Sequence, residues 1–194
     1  DGVVEAWGNN SYGQACHEMR AAVGSFVDIC ARGDHTTALR DDGVIEVWGG
    51  FFYGEAFRQK RAAVGRFVRI CSGVYHTAAL RDDGVVEAWG DNSVGQAPQE
   101  KRAAVGRFVQ ICAGANHTAA LRDDGVVEAW GRNDHGQAPQ EKRADVGRFM
   151  NISARDHDST ASHDDFPGGC DGDGQAPPGK RQRLSSGDKR HSGI

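Results

Sequence analysis

The sequence predicts an all-β protein that stacks copies of one antiparallel strand unit. The segment HTAALRDDGVVEAWG at residues 76–90 recurs unchanged at 117–131 and with three substitutions at 35–49. Gly2, Gly43, Gly84 and Gly125 therefore lie 41 residues apart, with no insertion between copies. A fixed period of about 20–50 residues indicates a fold built from repeated supersecondary units.

Each copy contains three apolar segments that are separated by turn signals. Residues 67–71, 76–81 and 85–90 predict strands A, B and C, because each is a short segment with apolar residues that is bounded by turn signals. Asp83-Gly84 between strands B and C is a strong hairpin signal. The unit is therefore predicted to be an antiparallel meander of three strands, and residues 1–8 are predicted to form one strand without its partners.

The connector 97–106, APQEKRAAVG, predicts a short helical turn. Pro98 suits the first helical position, Gly106 suits the position just past the end, and good helix formers lie between them. The alternative is an outer fourth strand, which the lack of β-branched residues in KRAA disfavours.

The repeats divide the chain into copies 1–41, 42–82, 83–123 and 124–163, and the last of these is degenerate. The fourth copy keeps Ile152 but has Asp158 in the His position and Ser162 in the Leu position. Residues 164–194 are predicted to be a disordered tail, because they hold too few large apolar side chains to offset the entropy of ordering.

Composition narrows the class of function. The 194 residues carry a net charge of −4, so there is no overall signal for nucleic acid, and the small basic cluster at 180–183 is interpreted as part of a solvated tail. No apolar run approaches the ~18 residues of a membrane span. The chain begins at Asp1 in mid-repeat, which suggests a piece of a longer protein.

The cysteines are predicted to be structural. Cys30, Cys71 and Cys112 occupy one position in three copies, and they lack the spacing of a metal site. We interpret them as small buried apolar residues on a strand. Reduced thiols are consistent with a cytoplasmic or nuclear protein.

The repeat resembles the regulator of chromosome condensation repeat. The pattern is carried by Gly114, His117, Thr118, Ala120, Leu121, Asp124, Gly125, Val127, Trp130, Gly131, Asn133, Gly136 and Gln137. The resemblance covers residues 1–150 approximately and implies a β-propeller, or an open arc of one, with antiparallel blades of three to four strands. About three blades would be complete (26–49, 67–90 and 108–131), and strand C of each would come from the next sequence repeat. Members of this family serve as exchange factors for the GTPase Ran, as chromatin-binding propellers and as interaction domains of HECT-type ubiquitin ligases.

The sequence allows two interpretations of how the blades form a ring. An arc cut from a larger ring is the preferred interpretation, since propellers usually have four to eight blades. Alternatively, residues 1–8 complete the frayed blade at 149–163 and close a small ring of four blades.

The invariant residues are predicted to be structural. Trp7, Trp48, Trp89 and Trp130 are expected to pack between blades. The periodic His35, His76 and His117 indicate a repeated hydrogen bond rather than a metal site. The sequence holds no phosphate loop, nucleophile elbow or zinc-binding helix motif, so we predict no catalytic residue, no cofactor and no metal.

Variation between copies marks a candidate binding face. The copies differ in the loop after strand C and in the turn before strand B, which lie at the same end of an A–B–C meander. The candidate residues are Tyr12, Asp34, Phe51, Phe52, Tyr53, Tyr75, Asn116 and His135. Exposed aromatic residues are typical of binding hot spots, whereas drift in unconstrained loops is the alternative.

The sequence therefore favours a non-catalytic module that binds a protein partner through one loop face and does not act at a membrane. The alternatives are the substrate-binding propeller of a HECT-type ubiquitin ligase, an exchange factor for a small GTPase, and a secreted inhibitor-like propeller.

Overall fold

A computed structural model of the chain describes residues 3–15, 19–21, 23–50, 59–145 and 147–162. All regular structure in these ranges is β-strand. They contain no helix that could span a membrane. The predictions for Phe51, Phe52 and Tyr53 and for the tail at 164–194 fall outside the described residues.

In these described ranges, fourteen strands follow one another in chain order. They are β1 Val3–Val4, β2 Met19–Arg20, β3 Phe26–Arg32, β4 His35–Arg40, β5 Ile45–Gly49, β6 Gln59–Lys60, β7 Phe67–Ser72, β8 His76–Arg81, β9 Val86–Gly90, β10 Phe108–Ala113, β11 His117–Arg122, β12 Val127–Gly131, β13 Asn151–Ala154 and β14 Ser159–Ser162.

The strands form three full blades and two partial ones. Blade 1 is β3–β6, blade 2 is β7–β9 and blade 3 is β10–β12, each with sequential antiparallel order. The N-terminal pair is β1–β2, and the C-terminal pair is β13–β14. The predicted all-β fold, with meanders of three to four strands, is therefore confirmed.

The repeated sequence produces a repeated register. In blade 2, His76 lies opposite Gly90 and Thr77 opposite Trp89, and blades 1 and 3 use the equivalent pairs. The turn between strands B and C closes through the Gly84 amide, which donates to the Arg81 carbonyl at 3.0 Å. Gly84 has φ of +81°, a conformation that favours glycine, so the Asp-Gly signal is explained by backbone geometry.

The predicted helical turn at 97–106 is wrong. Lys101 forms an antiparallel bridge with Val86, and the Pro98 carbonyl accepts from the Ala88 amide at 3.2 Å. The connector therefore lies along the outer edge of β9, as Gln59–Lys60 does in blade 1. The backbone groups on the edge of a strand need partners, and this requirement outweighs the helix propensity of the connector.

The apolar core lies between blades. Cys71, Ala78 and Leu80 of blade 2 pack against Phe108 and Ile111 of blade 3, and the two neighbouring junctions repeat this contact. Trp89 is 8% exposed and packs with residues of blade 1 such as Leu39, as predicted. The prediction is wrong for Trp7, which is 86% exposed, because no strand A in the described residues brings a Phe ring to it.

The N-terminal strand is shorter than predicted and has a partner. Of residues 3–8, only Val3–Val4 are in a strand, and this strand pairs with Met19–Arg20. Among the described residues, β14 pairs with β13 and not with β1. The described residues therefore form an open arc, and among them β1 does not complete the blade of β13 and β14, as the alternative of a closed ring requires.

A buried arginine lies behind each turn between strands B and C. The Arg81 side chain is 1% exposed and contacts Asp83, Glu87 and Glu100. Glu87 also accepts from the Ala63 amide at 2.9 Å and from Lys60 at 3.4 Å, so it joins the connector of blade 1 to the turn of blade 2. Arg122 and Glu128 repeat this arrangement one blade later. The Asp-Asp-Gly sequence predicted the turn, but it did not predict that Arg81 lies in a buried network of ion pairs behind it.

Two carboxylates on the same guanidinium allow a matched test of this network. Glu87→Gln should lower the free energy of unfolding by about 3 kcal/mol, because it removes the buried carboxylate that binds Arg81, Lys60 and the Ala63 amide together. Glu100→Gln, at a side chain that is 43% exposed, should lower it by less than about 1 kcal/mol. Urea denaturation of both variants measures the difference, and equal effects would contradict a buried network.

Candidate functional site

The loop after strand C is held by its own side chains. In residues 91–97, Asn92 Oδ1 accepts from the Ala97 amide at 2.8 Å, and Gln96 Oε1 accepts from the Val94 amide at 3.0 Å. Gln96 is fully buried, and Gly95 has φ of +84°. The loop is therefore a fixed frame that presents Val94 at its tip.

The same frame is present in two further loops. Asn10 and Gln14 bind the amides of Ala15 and Tyr12, each at 2.9 Å. Asn133 and Gln137 do the same for Ala138 and His135, at 2.9 and 2.8 Å. The tips of the three loops are therefore Tyr12, Val94 and His135, and all three side chains are exposed.

The turns between strands A and B lie at the same end of each blade. The carbonyls of Asp34, Tyr75 and Asn116 accept from the amide that follows strand C, at 2.7, 2.7 and 2.8 Å. Tyr75 is exposed, whereas Asp34 and Asn116 are half-buried. The two variable segments thus share one end of the meander, as the strand order requires.

The loop of one blade meets the turn of the next. The rings of His135 and His157 lie 5.5 Å apart with an interplanar angle of 68°. His135 is the tip of a blade 3 loop, and His157 lies in the turn of the C-terminal pair. The 41-residue register puts Val94 and Asn116 in the same relation one junction earlier.

We call this surface the loop face, and it comprises Tyr12, Asp34, Tyr75, Val94, Asn116, His135 and His157. Val94 and His157 were not among the predicted candidates. Both lie at the repeat offset from candidates, since Val94 is 41 residues before His135 and His157 is 41 residues after Asn116. The period itself could have identified them.

The opposite end of the blades carries the invariant turns. The Asp82 amide donates to the Arg66 carbonyl at 3.0 Å, which joins the B–C turn to the end of the connector. Val64 and Val105 lie in these connectors and are 64% and 63% exposed. Val64 and Val105 at this end can therefore serve as control positions for substitutions on the loop face.

The histidine column connects the blades to these loops. His76 Nε2 lies 2.9 Å from Thr118 Oγ1 in the next blade. Thr118 Oγ1 donates its only proton to the Gln96 carbonyl at 2.9 Å, so His76 must donate through Nε2–H. His35–Thr77 and His117–Ser159 repeat the contact at 3.0 and 2.9 Å. The predicted repeated hydrogen bond is confirmed, and one member of the relay is the residue that frames the loop.

The three histidines of the column are uncharged at neutral pH. Burial lowers the pKa of His35 and His117 to about 4 and that of His76 to about 3. Within the described ranges, no group of three or more His, Cys, Asp or Glu side chains is arranged to hold a metal ion.

The cysteines of the repeat are also part of the blade junctions. Cys71 and Cys112 are buried, and Cys30 Sγ accepts from the Ser72 amide at 3.2 Å. Burial raises the pKa of the Cys30 thiol, which disfavours the reactive thiolate. This agrees with the predicted structural role.

The histidine column predicts a pH dependence of stability. The unfolded chain binds protons on these residues below about pH 6.5, and the folded chain does not until about pH 4, so stability falls as the pH decreases through this window. Each histidine contributes up to about 1.4 kcal/mol per pH unit. In urea denaturation between about pH 6.5 and pH 5, His76→Gln should remove one of three contributions to the slope. An unchanged slope would show that the histidine titrates equally in both states.

Two of the repeats match a known family of repeats. The sequence profile of the Regulator of chromosome condensation (RCC1) repeat matches residues 67–96 and 108–137, which contain blades 2 and 3. No curated protein matches the sequence.

Solved structures share the fold. Prp20p from Saccharomyces cerevisiae, described with its binding to Gsp1p and histones, has a TM-score of 0.61 and 16% identity over 80% of this chain and 50% of its own. Yeast RCC1 (Prp20) bound to Kap60 has a TM-score of 0.59 and 23% identity over 74% of this chain and 42% of its own. Human WBSCR16 has a TM-score of 0.57 and 20% identity over 72% of this chain and 45% of its own.

The chain therefore spans half or less of each of these relatives. The two matched repeats contain blades 2 and 3, and these blades have the same strand order and the same register. Residues 67–96 and 108–137 therefore match the regulator of chromosome condensation repeat, and the described blades share the fold of propellers built from it.

Proposed function

We propose that the chain is a non-catalytic interaction module that binds a protein partner through the loop face. The observation that carries this proposal is the contrast within each loop. The framing Asn, Gly and Gln are the same in three loops, whereas the tips are Tyr12, Val94 and His135.

The arrangement suits recognition for a physical reason. A loop whose amides are already bound by its own side chains loses little conformational entropy when a partner binds. A rigid scaffold with variable loops can therefore change specificity without changing the fold. Tyr12 is 50% exposed and Tyr75 is 39% exposed, so both can bury aromatic surface in an interface.

The solved relatives support a protein partner. Yeast RCC1 (Prp20) is bound to Kap60 in one structure, and Prp20p binds Gsp1p and histones according to the other. Because the identity is low and the chain spans at most half of those proteins, a protein partner for this chain stays a proposal.

The test compares two sets of surface substitutions. One variant carries Tyr12→Ser, Tyr75→Ser, Val94→Ser and His135→Ser, and the control carries Val64→Ser and Val105→Ser at the opposite end. Proteins retained from nuclear and cytosolic extracts by each immobilised chain are quantified by mass spectrometry.

The loop-face variant should lose specific binders by about tenfold or more, since one hot-spot side chain contributes about 2 kcal/mol. The control should retain them, and both should keep the melting temperature of the parent chain. Full retention by the loop-face variant, or equal loss in the control, would contradict the proposal.

Nucleotide exchange on a small GTPase is the second candidate, because the repeat resembles that of exchange factors for the GTPase Ran. Release of labelled GDP from Ran should not accelerate when this chain is added. Acceleration that the loop-face variant abolishes would replace the interaction proposal with an exchange function.

A further inference from the structure

Two exposed histidines meet on the loop face, at the junction between blade 3 and the C-terminal pair. His135 is at the tip of the loop that follows β12, and His157 is in the turn between β13 and β14. Both side chains are exposed to solvent, and the centres of their rings lie 5.5 Å apart. Neither residue belongs to the histidine column, so the hydrogen bonds of that column do not explain the contact.

The backbone is fixed on both sides of this contact. The His135 amide donates to Gln137 Oε1 at 2.8 Å, as part of the loop frame. The turn that holds His157 is closed by the Arg155 amide, which donates to the Asp158 carbonyl at 2.8 Å. Two side chains on a fixed backbone lose less conformational entropy when both bind one ligand than two side chains on mobile loops do.

The separation of the rings suits a metal ion bound between them. Zn²⁺ binds imidazole nitrogens at about 2.0–2.1 Å in tetrahedral geometry, which puts the centres of two ligating rings about 5 Å apart. The 5.5 Å between His135 and His157 is close to this separation. Imidazole is also a ligand that divalent Zn, Cu and Ni ions favour.

The ring nitrogens of the pair are available as ligands. Within the described ranges, neither His135 nor His157 uses its ring in a hydrogen bond or an ion pair. In the same part of the chain, no third His, Cys, Asp or Glu side chain completes a group that could hold a metal ion. A bound ion would therefore have two protein ligands and would take the others from water.

The charges around the pair balance, so they do not repel a cation. The aspartate before each histidine contacts an arginine: Asp134 contacts Arg132, and Asp156 contacts Arg32. The turn between β13 and β14 carries two further exposed charges of opposite sign, which are Arg155 and Asp158.

We propose that His135 and His157 form a two-histidine site for Zn²⁺ or another divalent transition-metal ion that prefers imidazole. The ion would link the loop of blade 3 to the turn of the C-terminal pair and so stabilise this junction. The site needs only the two rings and no protein partner, so it does not depend on the proposed function.

The test replaces each histidine with the residue that lies 41 positions before it. His135→Val copies Val94 and His157→Asn copies Asn116, so each variant carries a side chain that the repeat already accepts at that position. The readouts are isothermal titration of the chain with ZnCl₂ at neutral pH and the midpoint of urea unfolding with and without Zn²⁺.

The parent chain should contain one Zn²⁺ site that each replacement weakens by about tenfold or more, since the second ligand of a chelate binds at a high effective concentration. Zn²⁺ should raise the unfolding midpoint of the parent more than that of either variant, because a ligand that binds the folded state stabilises it. Binding that is unchanged in both variants would overturn the proposal.

A control shows whether other histidines bind the ion. His163 and His191 lie outside the described residues, and their joint replacement by Asn should leave the Zn²⁺ affinity of the chain unchanged. A loss in this control equal to that in His157→Asn would overturn the assignment to the pair on the loop face.

The repeat also allows the converse experiment. Val94→His with Asn116→His places two imidazoles at the equivalent positions one junction earlier, and this variant should bind one Zn²⁺ more than the parent. A folded double variant that binds no additional ion would contradict the proposal, because the same arrangement would then fail to make a site. The two single replacements decide the question even if the double variant does not fold.

Discussion

The structure depends on one constraint, which is the register between successive blades. Three hydrogen bonds that join successive blades connect residues 42 positions apart: His76 to Thr118, Cys30 to Ser72, and Gln110 to Ile152. A blade of three strands cannot bury its two faces alone, so its stability comes from its neighbours. An insertion inside one copy would displace all of these contacts at that junction together, and this explains why the period is constant.

The same register separates the residues that hold the fold from those free to vary. The His–Thr–carbonyl relay ends on Gln96, and Gln96 also fixes the loop that displays Val94. The residues that hold the fold thus include Gln96 at the base of the loop, whereas Val94 at its tip is free to vary. Charged residues follow this division too, because Arg81 is buried with Glu87, whereas Arg132 and Asp134 pair on the exposed loop.

The strands were predictable from the sequence because their signals are local. Asp83-Gly84 and the alternation of apolar residues define the hairpins without reference to neighbours. The connector 97–106 was not predictable in this way, since the open edge of β9 decides its conformation and helix propensity does not. The 41-residue period predicts the same packing for Trp7 and Trp89, although in the described residues only Trp89 has a full blade before it. In the sequence, the buried Arg81 resembles an ordinary surface charge. Its invariance between copies is the sequence signal that could have identified it as buried.

The most direct test of the central claim is a double-mutant cycle across one junction. His76→Phe and Thr118→Val, alone and combined, should show a coupling energy of about 1 kcal/mol in urea unfolding, as expected for a buried hydrogen bond. His76→Phe combined with Thr36→Val should be additive, because Thr36 makes the equivalent bond to the Gln14 carbonyl whereas His76 contacts Thr118. Additivity of the His76 and Thr118 changes to within about 0.3 kcal/mol would contradict a register maintained by contacts between blades.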